Sequence, residues 1–214
     1  MHRYSAETFN QSLLKLGGIR IGTLHDFRKS EHKKGIADPQ EGKKDISHHI
    51  ESALVNSVDD MHGKAAKEFK IFDAKNSSAS MYINNVTFLK RFNEPDCFIL
   101  CLSSKLSIEV MAEFEGANSC VKILNPNLFL SVLTGTLNSI TPVIFRGAHK
   151  VIYQDKKEDW NGHDWGKNPA LIKEEEFKKQ HEIRMIWQPR FNQTITPVIL
   201  FNYRLGTVCR KMAI

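Results

Sequence analysis

Near the end of the chain, a strongly polar run over residues 174–182 gives way abruptly to apolar residues at alternate positions. In EIRMIWQ, residues 182–188, this alternation predicts a half-buried β-strand. Glu182, Arg184 and Gln188 share the polar face of that strand. A carboxylate that opens a core strand is a surface residue, an ion-pair partner or a catalytic group held on a rigid element.

The pattern of apolar positions predicts further strands. CFILCLS, residues 97–103, is continuously apolar and indicates a central strand covered on both faces. Residues 141–154 form one long or two short strands, with a bulge expected at Gly147. Shorter or alternating apolar patterns predict strands at residues 3–5, 19–22, 68–73, 80–89, 119–124 and 196–204.

Helical spacing appears between these strands. Ser5 is expected to cap a first helix that stops at Gly17-Gly18. Asn125-Pro126 predicts the start of another helix, which runs to Leu137. Apolar spacing predicts a helix over residues 105–115 and a weak one over 48–66. Residues 23–47 are polar and rich in turn residues, so we expect a long loop, and long loops in domains are usually functional or mobile.

The order of these elements shows no regular βαβ alternation, which favours an α+β fold with a mixed, mostly antiparallel sheet. The length of 214 residues fits a single domain over 1–214. No G-x-G-x-x-G follows a predicted strand, and no G-x-x-x-x-G-K-[ST] occurs. A nucleotide cofactor would therefore need a different kind of binding site.

The charge of the chain and the distribution of its apolar residues indicate which partners and which location to expect. The net charge of +6 and a pI near 9.1 favour polyanionic partners, including nucleic acid. No apolar run approaches the roughly 18 residues of a membrane helix, and the first residues lack the apolar block of a signal peptide. We therefore expect a cytoplasmic protein that does not contact a membrane. The four cysteines are expected to be buried and reduced.

Two clusters near the start could carry chemistry. Arg3-Tyr4-Ser5 is a binding strand or a fraying terminus, and composition alone favours the terminus. RIGTLHDFRKSEH, residues 20–32, follows a short strand, where binding groups are commonly mounted. In this segment Arg28 could bind a phosphate or carboxylate, unless the loop is simply solvated. Its other candidates are Thr23, His25, Phe27, Glu31 and His32.

Two later clusters are less specific. The first contains possible metal ligands in a lysine-rich segment, at a spacing that matches no standard pattern, so a charged turn is the better interpretation. The second places Trp160 and Trp165 in a loop, where they either stack on a ligand or close the core beneath them. No Ser-His-Asp or Cys-His arrangement can be read from spacing. The possible metal ligands are Asp38, Glu41, Asp45, His48 and His49.

Taken together, a short Arg/Tyr strand, GIRIGTLHDFR, DPQEG, CFILCLSS and HEIRMIW resemble the ADP-ribosyltransferase superfamily, including DarT-type nucleic-acid ADP-ribosyltransferases. The resemblance spans most of the chain, although each motif is short. It implies a split, strand-rich sheet that holds NAD without a Rossmann loop. It also implies a nucleic-acid acceptor (RNA or DNA) and the role of a toxin or anti-phage effector with an antitoxin-like partner.

The resemblance also implies roles for single residues. Glu182 takes the place of the catalytic glutamate, and Arg28 that of an arginine on the pyrophosphate. The loop before Glu182, residues 156–181, would read the target. The implied cofactor contacts are Arg3, Tyr4, Ser5, Thr23, His25, Phe27 and Ser103, with Ser104 beside the last, and the implied substrate contacts are Trp160, Trp165, Lys167 and Arg184.

A carboxylate at Glu182 suits this chemistry. Cleavage of the nicotinamide–ribose bond develops positive charge at the anomeric carbon, which a fixed carboxylate stabilises. The same carboxylate could take a proton from the incoming nucleophile. Because the swap is nearly isosteric, Glu182→Gln is expected to abolish transfer and leave folding almost intact.

Two alternatives remain open. In the first, the chain is a non-enzymatic basic module that binds nucleic acid or a protein, with Glu182 and Arg184 as a structural ion pair and the tryptophan loop as a contact surface. In the second, it is a metal-dependent nuclease that uses Asp38, Glu41 and His48. The second is weaker, because its carboxylates lie in a lysine-rich loop.

Overall fold

The computed structural model describes residues 1–29, 31, 35–55, 60–71 and 81–214. The helices are α1 (Glu7–Leu16), α2 (Met61–Glu68), α3 (Ile108–Ala112), α4 (Pro126–Asn138) and α5 (Tyr203–Thr207), with 3-10 turns at Asp26–Arg28, Pro169–Leu171 and Glu175–Gln180. The strands are β1 (His2–Ser5), β2 (Gly18–Thr23), β3 (Lys43–Val55), β4 (Met81–Asn93), β5 (Phe98–Ser103), β6 (Ser119–Ile123), β7 (Val143–Lys150), β8 (Ile152–Tyr153), β9 (Lys157–Asp159), β10 (Ile172–Lys173), β11 (Glu182–Pro189), β12 (Val198–Phe201) and β13 (Cys209–Met212).

The predicted α+β class with mostly antiparallel sheets is confirmed. The main sheet has the strand order β12-β2-β5-β1-β6-β13, and β11 and β7 extend it from the other edge of β5. All of its pairings are antiparallel. A smaller sheet has the order β4-β3-β9, and β10 pairs with β8. The central position of β5, expected from its apolar run, is also confirmed.

The main sheet branches at β5. On one edge, β11 pairs with all of β5, from Glu182 opposite Ser103 to Trp187 opposite Phe98. On the other edge, β2 pairs only at Phe98 and Ile99, and β1 pairs only at Ser103. Among the described residues, no strand pairs with residues 100–102 on this edge. The two strands therefore diverge and leave a gap in the sheet.

The two largest of the three hydrophobic cores that the described residues form support this arrangement. The larger core lies between the main sheet and helices α1 and α4, and it includes Leu13, Phe129 and Trp187. The smaller core lies under the β3–β4 ribbon and includes Ile50 and Trp160. The sheet branch therefore rests on the larger core.

Local signals explain the two helices that were predicted well. Gly17 closes α1 with φ +66°, and a Cβ there would lie 1.8 Å from the backbone oxygen of Asn202, so only glycine fits. Asn125 caps α4 by accepting from the backbone N–H of Leu128, and Pro126 occupies its first turn. The expected cap at Ser5 is wrong, because Ala6 holds that position without a side-chain bond.

The strand and helix boundaries need several corrections. The weak helix over 48–66 is only partly right: residues 48–55 belong to β3, residues 61–66 are helical in α2, and residues 56–59 lie outside the described ranges. The period of two was hidden because Lys44 and His48 fill buried positions beside Ile46 and Ile50. The strand over 68–73 is also wrong, since α2 and a turn fill its described part, and residues 72–73 lie outside the described ranges. Three other predicted elements are shorter than expected. The helix over 105–115 is reduced to α3, and the strand over 196–204 is reduced to β12, which α5 follows. The loop over 23–47 ends where β3 begins.

The segment over residues 141–154 matches the prediction more closely. Residues 141–154 form two strands, β7 and β8, with Val151 between them. Gly147 has φ +117°, and the register of β7 against β11 shifts at this point, so the bulge is confirmed. All four cysteines are free thiols, as expected.

Candidate functional site

A cleft with a volume of about 390 Å³ opens where β1 and β2 separate. Its walls come from these two strands, its floor from the unpaired part of β5, and its inner end from β11. One rim carries Gly35 and Ile36, and another carries residues 114–117. The lining residues that matter most for chemistry are His2, Arg3, Tyr4, Ser103, Lys173, Gln180, Glu182 and Arg184.

Glu182 is held at the inner end of this cleft. His181, just before it, adopts a left-handed conformation with φ 47°, which ends the preceding 3-10 turn and starts β11. The carbonyl of His181 accepts hydrogen bonds from the backbone N–H and the hydroxyl of Ser104. The backbone N–H of Glu182 donates to the hydroxyl of Tyr153 at 2.7 Å. The backbone at Glu182 is therefore fixed from two sides.

The Glu182 carboxylate is part of a buried chain of four charges. One of its oxygens accepts from Arg184 Nε at 2.6 Å, and the other pairs with Lys173 Nζ at 2.9 Å. Arg184 also binds both carboxylate oxygens of Glu41, at 2.7 and 2.8 Å. All four side chains are at most 5% exposed. We call this set the ion chain, in the order Lys173, Glu182, Arg184, Glu41.

The ion chain sets the protonation state of Glu182. Burial by itself raises the pKa of the carboxyl, but Arg184 and Lys173 more than offset this and hold the pKa well below its usual range. Burial lowers the pKa of Arg184, while Glu182 and Glu41 raise it well above its usual value. Glu182 is therefore an anion at neutral pH and a weak base, which favours charge stabilisation over proton transfer.

This arrangement predicts a dependence of stability on pH. The pKa of Glu182 is lower in the folded protein than the ordinary value of 4.5. Its contribution to the free energy of unfolding is therefore fully present above pH 4.5 and is lost progressively as the pH falls through the acid range. We expect the urea midpoint, followed by circular dichroism, to decrease as the pH is lowered below this value.

A charge-balanced variant provides the control for that measurement. In Glu182→Gln/Lys173→Met the carboxyl and its lysine partner are both removed, so the midpoint should depend less steeply on pH in the acid range. Equal pH dependence in the two proteins would show that Glu182 is not the group that titrates.

The first strand belongs to the cleft and is not a fraying terminus. All four residues of β1 pair with β6. The Arg3 guanidinium donates to Asn10 Oδ1 at 2.5 Å, and burial lowers the pKa of Arg3 to about 10, so it stays charged at neutral pH. No carboxylate among the described residues forms an ion pair with Arg3. Arg3 is therefore a cation beside the cleft without a local counter-charge.

Tyr4 shapes the same wall. Its hydroxyl donates to the carbonyl of Lys105 and accepts from the backbone N–H of Ser107, both at 2.8 Å. Its ring stacks on Phe114, with ring centroids 6.2 Å apart and an interplanar angle of 14°. Ser5, Phe27 and Ser103 also line the cleft, so five of the seven expected cofactor contacts are brought together.

The other residues of the first loop lie outside the cleft. Arg28 donates to the backbone carbonyl of Glu41 at 2.7 Å and to Asn93 Oδ1 at 2.8 Å. The expected role of Arg28 in binding pyrophosphate is not supported, because Phe27 takes the inward position against Gly22. Thr23 Oγ1 accepts from the backbone N–H of Asp26, and the His25 ring bonds the carbonyl of Glu94. Glu31 is exposed, and His32 lies outside the described residues.

The tryptophan loop belongs to the second core. Trp160 is only 3% exposed, and Trp165 packs against Phe69 and Phe92. Lys167 is exposed, and none of the three lines the cleft. The expectation that Trp160 touches a target is wrong, because its ring closes the core beneath the loop. Arg184, also expected to bind substrate, is instead enclosed by Glu182 and Glu41.

The possible metal ligands have separate partners. Asp38 pairs with Lys156 at 2.7 Å, and Glu41 pairs with Arg184. His48 contacts His62, with 3.0 Å between their ring nitrogens, and His49 contacts Thr87. Within the described ranges, no three metal-ligating side chains form a cluster. The trio required by the nuclease alternative is therefore not assembled.

Three cleft residues were missed by sequence reasoning. Gln180 accepts from Lys173 Nζ and donates to the carbonyl of Gly35, both within 2.9 Å, which ties the ion chain to one rim. His2 lies opposite Ser103, which in turn lies opposite Glu182, so the three form one row across the sheet. Lys173 and Gln180 flank a polar run that looks like solvated loop, so the sequence gives no signal for them.

Among the described residues, no helix is both long enough and apolar enough to cross a membrane. Comparison of the chain with protein-family models, curated proteins and solved structures found no match.

Proposed function

We propose that this protein is an NAD-dependent ADP-ribosyltransferase and that its acceptor is a nucleic acid. The observation that carries the proposal is the convergence of Glu182, Arg3, Tyr4 and Ser103 on one cleft, although these residues come from three separate strands. The resemblance implied this grouping before any contact was known. The binding-module alternative needs the Glu182–Arg184 ion pair, which is present, but it does not need a cleft at Glu182.

The residues of the cleft fit the chemistry of NAD. A dinucleotide needs a cation near its pyrophosphate, and Arg3 is a charged side chain without a carboxylate partner among the described residues. It also needs apolar or aromatic surfaces for its rings, which Phe27 and Phe114 offer. The volume of about 390 Å³ lies within the usual range for small-molecule pockets.

Glu182 has the central role in this proposal. NAD, when bound, supplies the ADP-ribosyl group, with nicotinamide as the leaving group. The Glu182 carboxylate accepts a hydrogen bond from a ribose hydroxyl and stabilises positive charge on the sugar. Arg184 and Lys173 hold the carboxylate in one orientation and keep it ionised. Because they also make it a weak base, another group or water accepts the proton of the nucleophile.

The fold supports the proposal at a coarser level. We propose that the branched main sheet corresponds to the split sheet that the resemblance implies, with β1 and β2 as the two diverging strands. The net charge of +6 supports a polyanionic acceptor. A toxin or anti-phage role and an antitoxin-like partner, which rest on the resemblance, complete the proposal, together with the cytoplasmic location expected from the sequence.

The proposal is tested with isotopically labelled NAD. We expect NAD to raise the melting temperature of the protein and label to appear on DNA or RNA. Arg3→Met should reduce the NAD-dependent shift because it removes the free cation from the cleft. Arg91→Met is the matched control, since Arg91 is exposed on β4, a strand that contributes no residue to the lining of the cleft.

Two results would contradict the proposal. Absence of a thermal shift together with absence of label on DNA, RNA and lysate proteins would exclude the transferase. Salt-dependent binding of nucleic acid, with neither a thermal shift on addition of NAD nor transferred label, would favour the binding-module alternative instead.

A further inference from the structure

Carboxylates are absent from two long stretches of the sequence, residues 116–154 and 183–214. For a chain with 24 acidic residues among 214, this is a marked separation of charge. The basic residues of the two stretches are Lys122, Arg146, Lys150, Arg184, Arg190, Arg204, Arg210 and Lys211.

The fold brings these two stretches together. β6 from the first pairs with β13 from the second, and β7 pairs with β11. The side-chain amide of Asn202, which caps α5, donates to Thr136 Oγ1 of α4 at 2.9 Å. Helix α1 beside them has one carboxylate, Glu7, which is paired with Lys211 at 2.7 Å. Helix α4 and the β12–α5 segment, which come one from each stretch, therefore meet without a carboxylate on either of them.

A groove with a volume of about 520 Å³ lies between α4 and the β12–α5 segment. No atom lies within 4 Å of the place where a Cβ on Gly135 would stand, so the groove is open along α4. Phe201, which lines the groove, is 60% exposed, and Tyr203, which stands between the lining residues Asn202 and Arg204, is 72% exposed. We call this the α4–α5 groove; it is lined by Leu128, Ser131, Val132, Gly135, Thr136, Ser139, Phe201, Asn202 and Arg204.

The groove is continuous with the cleft through β12. Ile199 lines the cleft, while Phe201, two residues later on the same face of the strand, lines the groove. The Phe201 ring packs against Gly18, which also lines the cleft: a Cβ on Gly18 would lie 2.9 Å from it. A ligand that follows the groove would therefore reach the cleft that contains Glu182.

We propose that the α4–α5 groove binds single-stranded nucleic acid and leads it to the cleft. Bases stack on the exposed rings of Phe201 and Tyr203, and Arg204 contacts the phosphates. The choice of acceptor rests on the proposed function, but the groove replaces the tryptophan loop as the surface that holds it. Exposed aromatic rings beside lone basic residues favour unpaired bases over an acidic protein, which offers no rings to stack.

Binding is measured without NAD, by fluorescence anisotropy with labelled oligo-dT and oligo-U longer than about 16 nucleotides. Phe201→Ala and Tyr203→Ala should each weaken binding by about tenfold. Arg204→Ala should weaken it and reduce the slope of log K against log salt by about one. Comparison of the two oligonucleotides shows whether DNA or RNA is preferred.

Matched controls come from β4, a strand of the smaller sheet that contributes no residue to the groove. Tyr82 on β4 is 67% exposed, and Arg91 on the same strand is also exposed, so Tyr82→Ala and Arg91→Ala should leave binding unchanged. Circular dichroism confirms that each variant is folded. If the groove variants bind as tightly as these controls, or if neither oligonucleotide binds, the groove proposal is overturned.

Two further arms separate the possible failures. If poly-glutamate competes as well as an oligonucleotide of equal charge, the face binds anions in general and the nucleic-acid proposal is overturned. If the oligonucleotide binds in the groove but no label is transferred from NAD, the transferase proposal is contradicted and the groove proposal stands. If all groove variants transfer label normally, the groove proposal is contradicted and the transferase proposal stands.

Discussion

Glu182→Gln is expected to reduce ADP-ribosyl transfer by about 10²–10³-fold or more, because it removes the charge that stabilises the reacting sugar. The near-isosteric swap is not expected to be neutral for folding, in contrast to the expectation from sequence. Lys173 would remain buried and lose Glu182, the only carboxylate among the described residues that pairs with it. Breaking a buried pair in this way costs about 3–5 kcal/mol of unfolding free energy.

The charge-balanced variant Glu182→Gln/Lys173→Met separates the two effects. It removes one anion and one cation together, and Arg184 stays paired with Glu41, so most of the lost stability should return. Transfer should remain absent, as measured with labelled NAD on folded protein. Glu175→Gln is the control, because Glu175 forms an exposed pair with Lys178 whose removal should cost at most about 1 kcal/mol.

The same double variant decides whether Glu182 is a catalytic or a structural residue. If the charge-balanced variant is folded and transfers label at the wild-type rate, Glu182 is a structural residue. If it is folded, inactive and still gives a thermal shift with NAD, Glu182 acts on the reaction and not on binding.

Arg184→Met is expected to be the most destabilising single change in the ion chain. It leaves the carboxylate of Glu41 buried without a cation, and it removes one of the two cations on Glu182. We expect a loss of about 3–5 kcal/mol in the free energy of unfolding, measured by urea denaturation. Lys178→Met, at the exposed pair with Glu175, should change it by at most about 1 kcal/mol.

A second double variant tests whether Arg184 positions Glu182 or only supports the fold. In Arg184→Met/Glu41→Leu a buried ion pair becomes an apolar contact, and such replacements are often neutral or stabilising. Stability should therefore return to near the wild-type value, while transfer stays reduced because Glu182 keeps only Lys173. Full recovery of both properties would show that Arg184 has a purely structural role.

The elements with local signals could be predicted from sequence. The run at 97–103, the alternation after Glu182, and the glycine and Asn-Pro signals at two helix ends each depend on neighbouring residues. β3 could not be predicted, because Lys44 and His48 occupy buried positions that a polarity pattern assigns to the surface. Their burial depends on partners elsewhere in the chain, such as His62 for His48.

The residues of the candidate site also divide into those with a signal in the local sequence and those without one. Glu182 was predicted as a site residue because it stands where a polar run gives way to alternating apolar positions. The strand β1 was predicted from its own pattern, and its place at the site came from the resemblance. Glu41 appeared as a possible metal ligand, although its carboxylate binds Arg184 at a separation of 143 residues. Lys173 and Gln180 were overlooked because only the folded chain places them beside Glu182. Trp160 looked exposed because its loop is rich in glycine and asparagine.

The long separation between Glu41 and Arg184 has a consequence for how the protein is made. Their contact closes a loop of 143 residues, and the entropy of closing a long loop must be overcome before such a contact can form. A growing chain on the ribosome cannot complete the ion chain until residue 184 has emerged. During synthesis, the proposed catalytic carboxylate would therefore be fixed in place only after most of the chain has been translated, and unfinished chains would lack the complete ion chain.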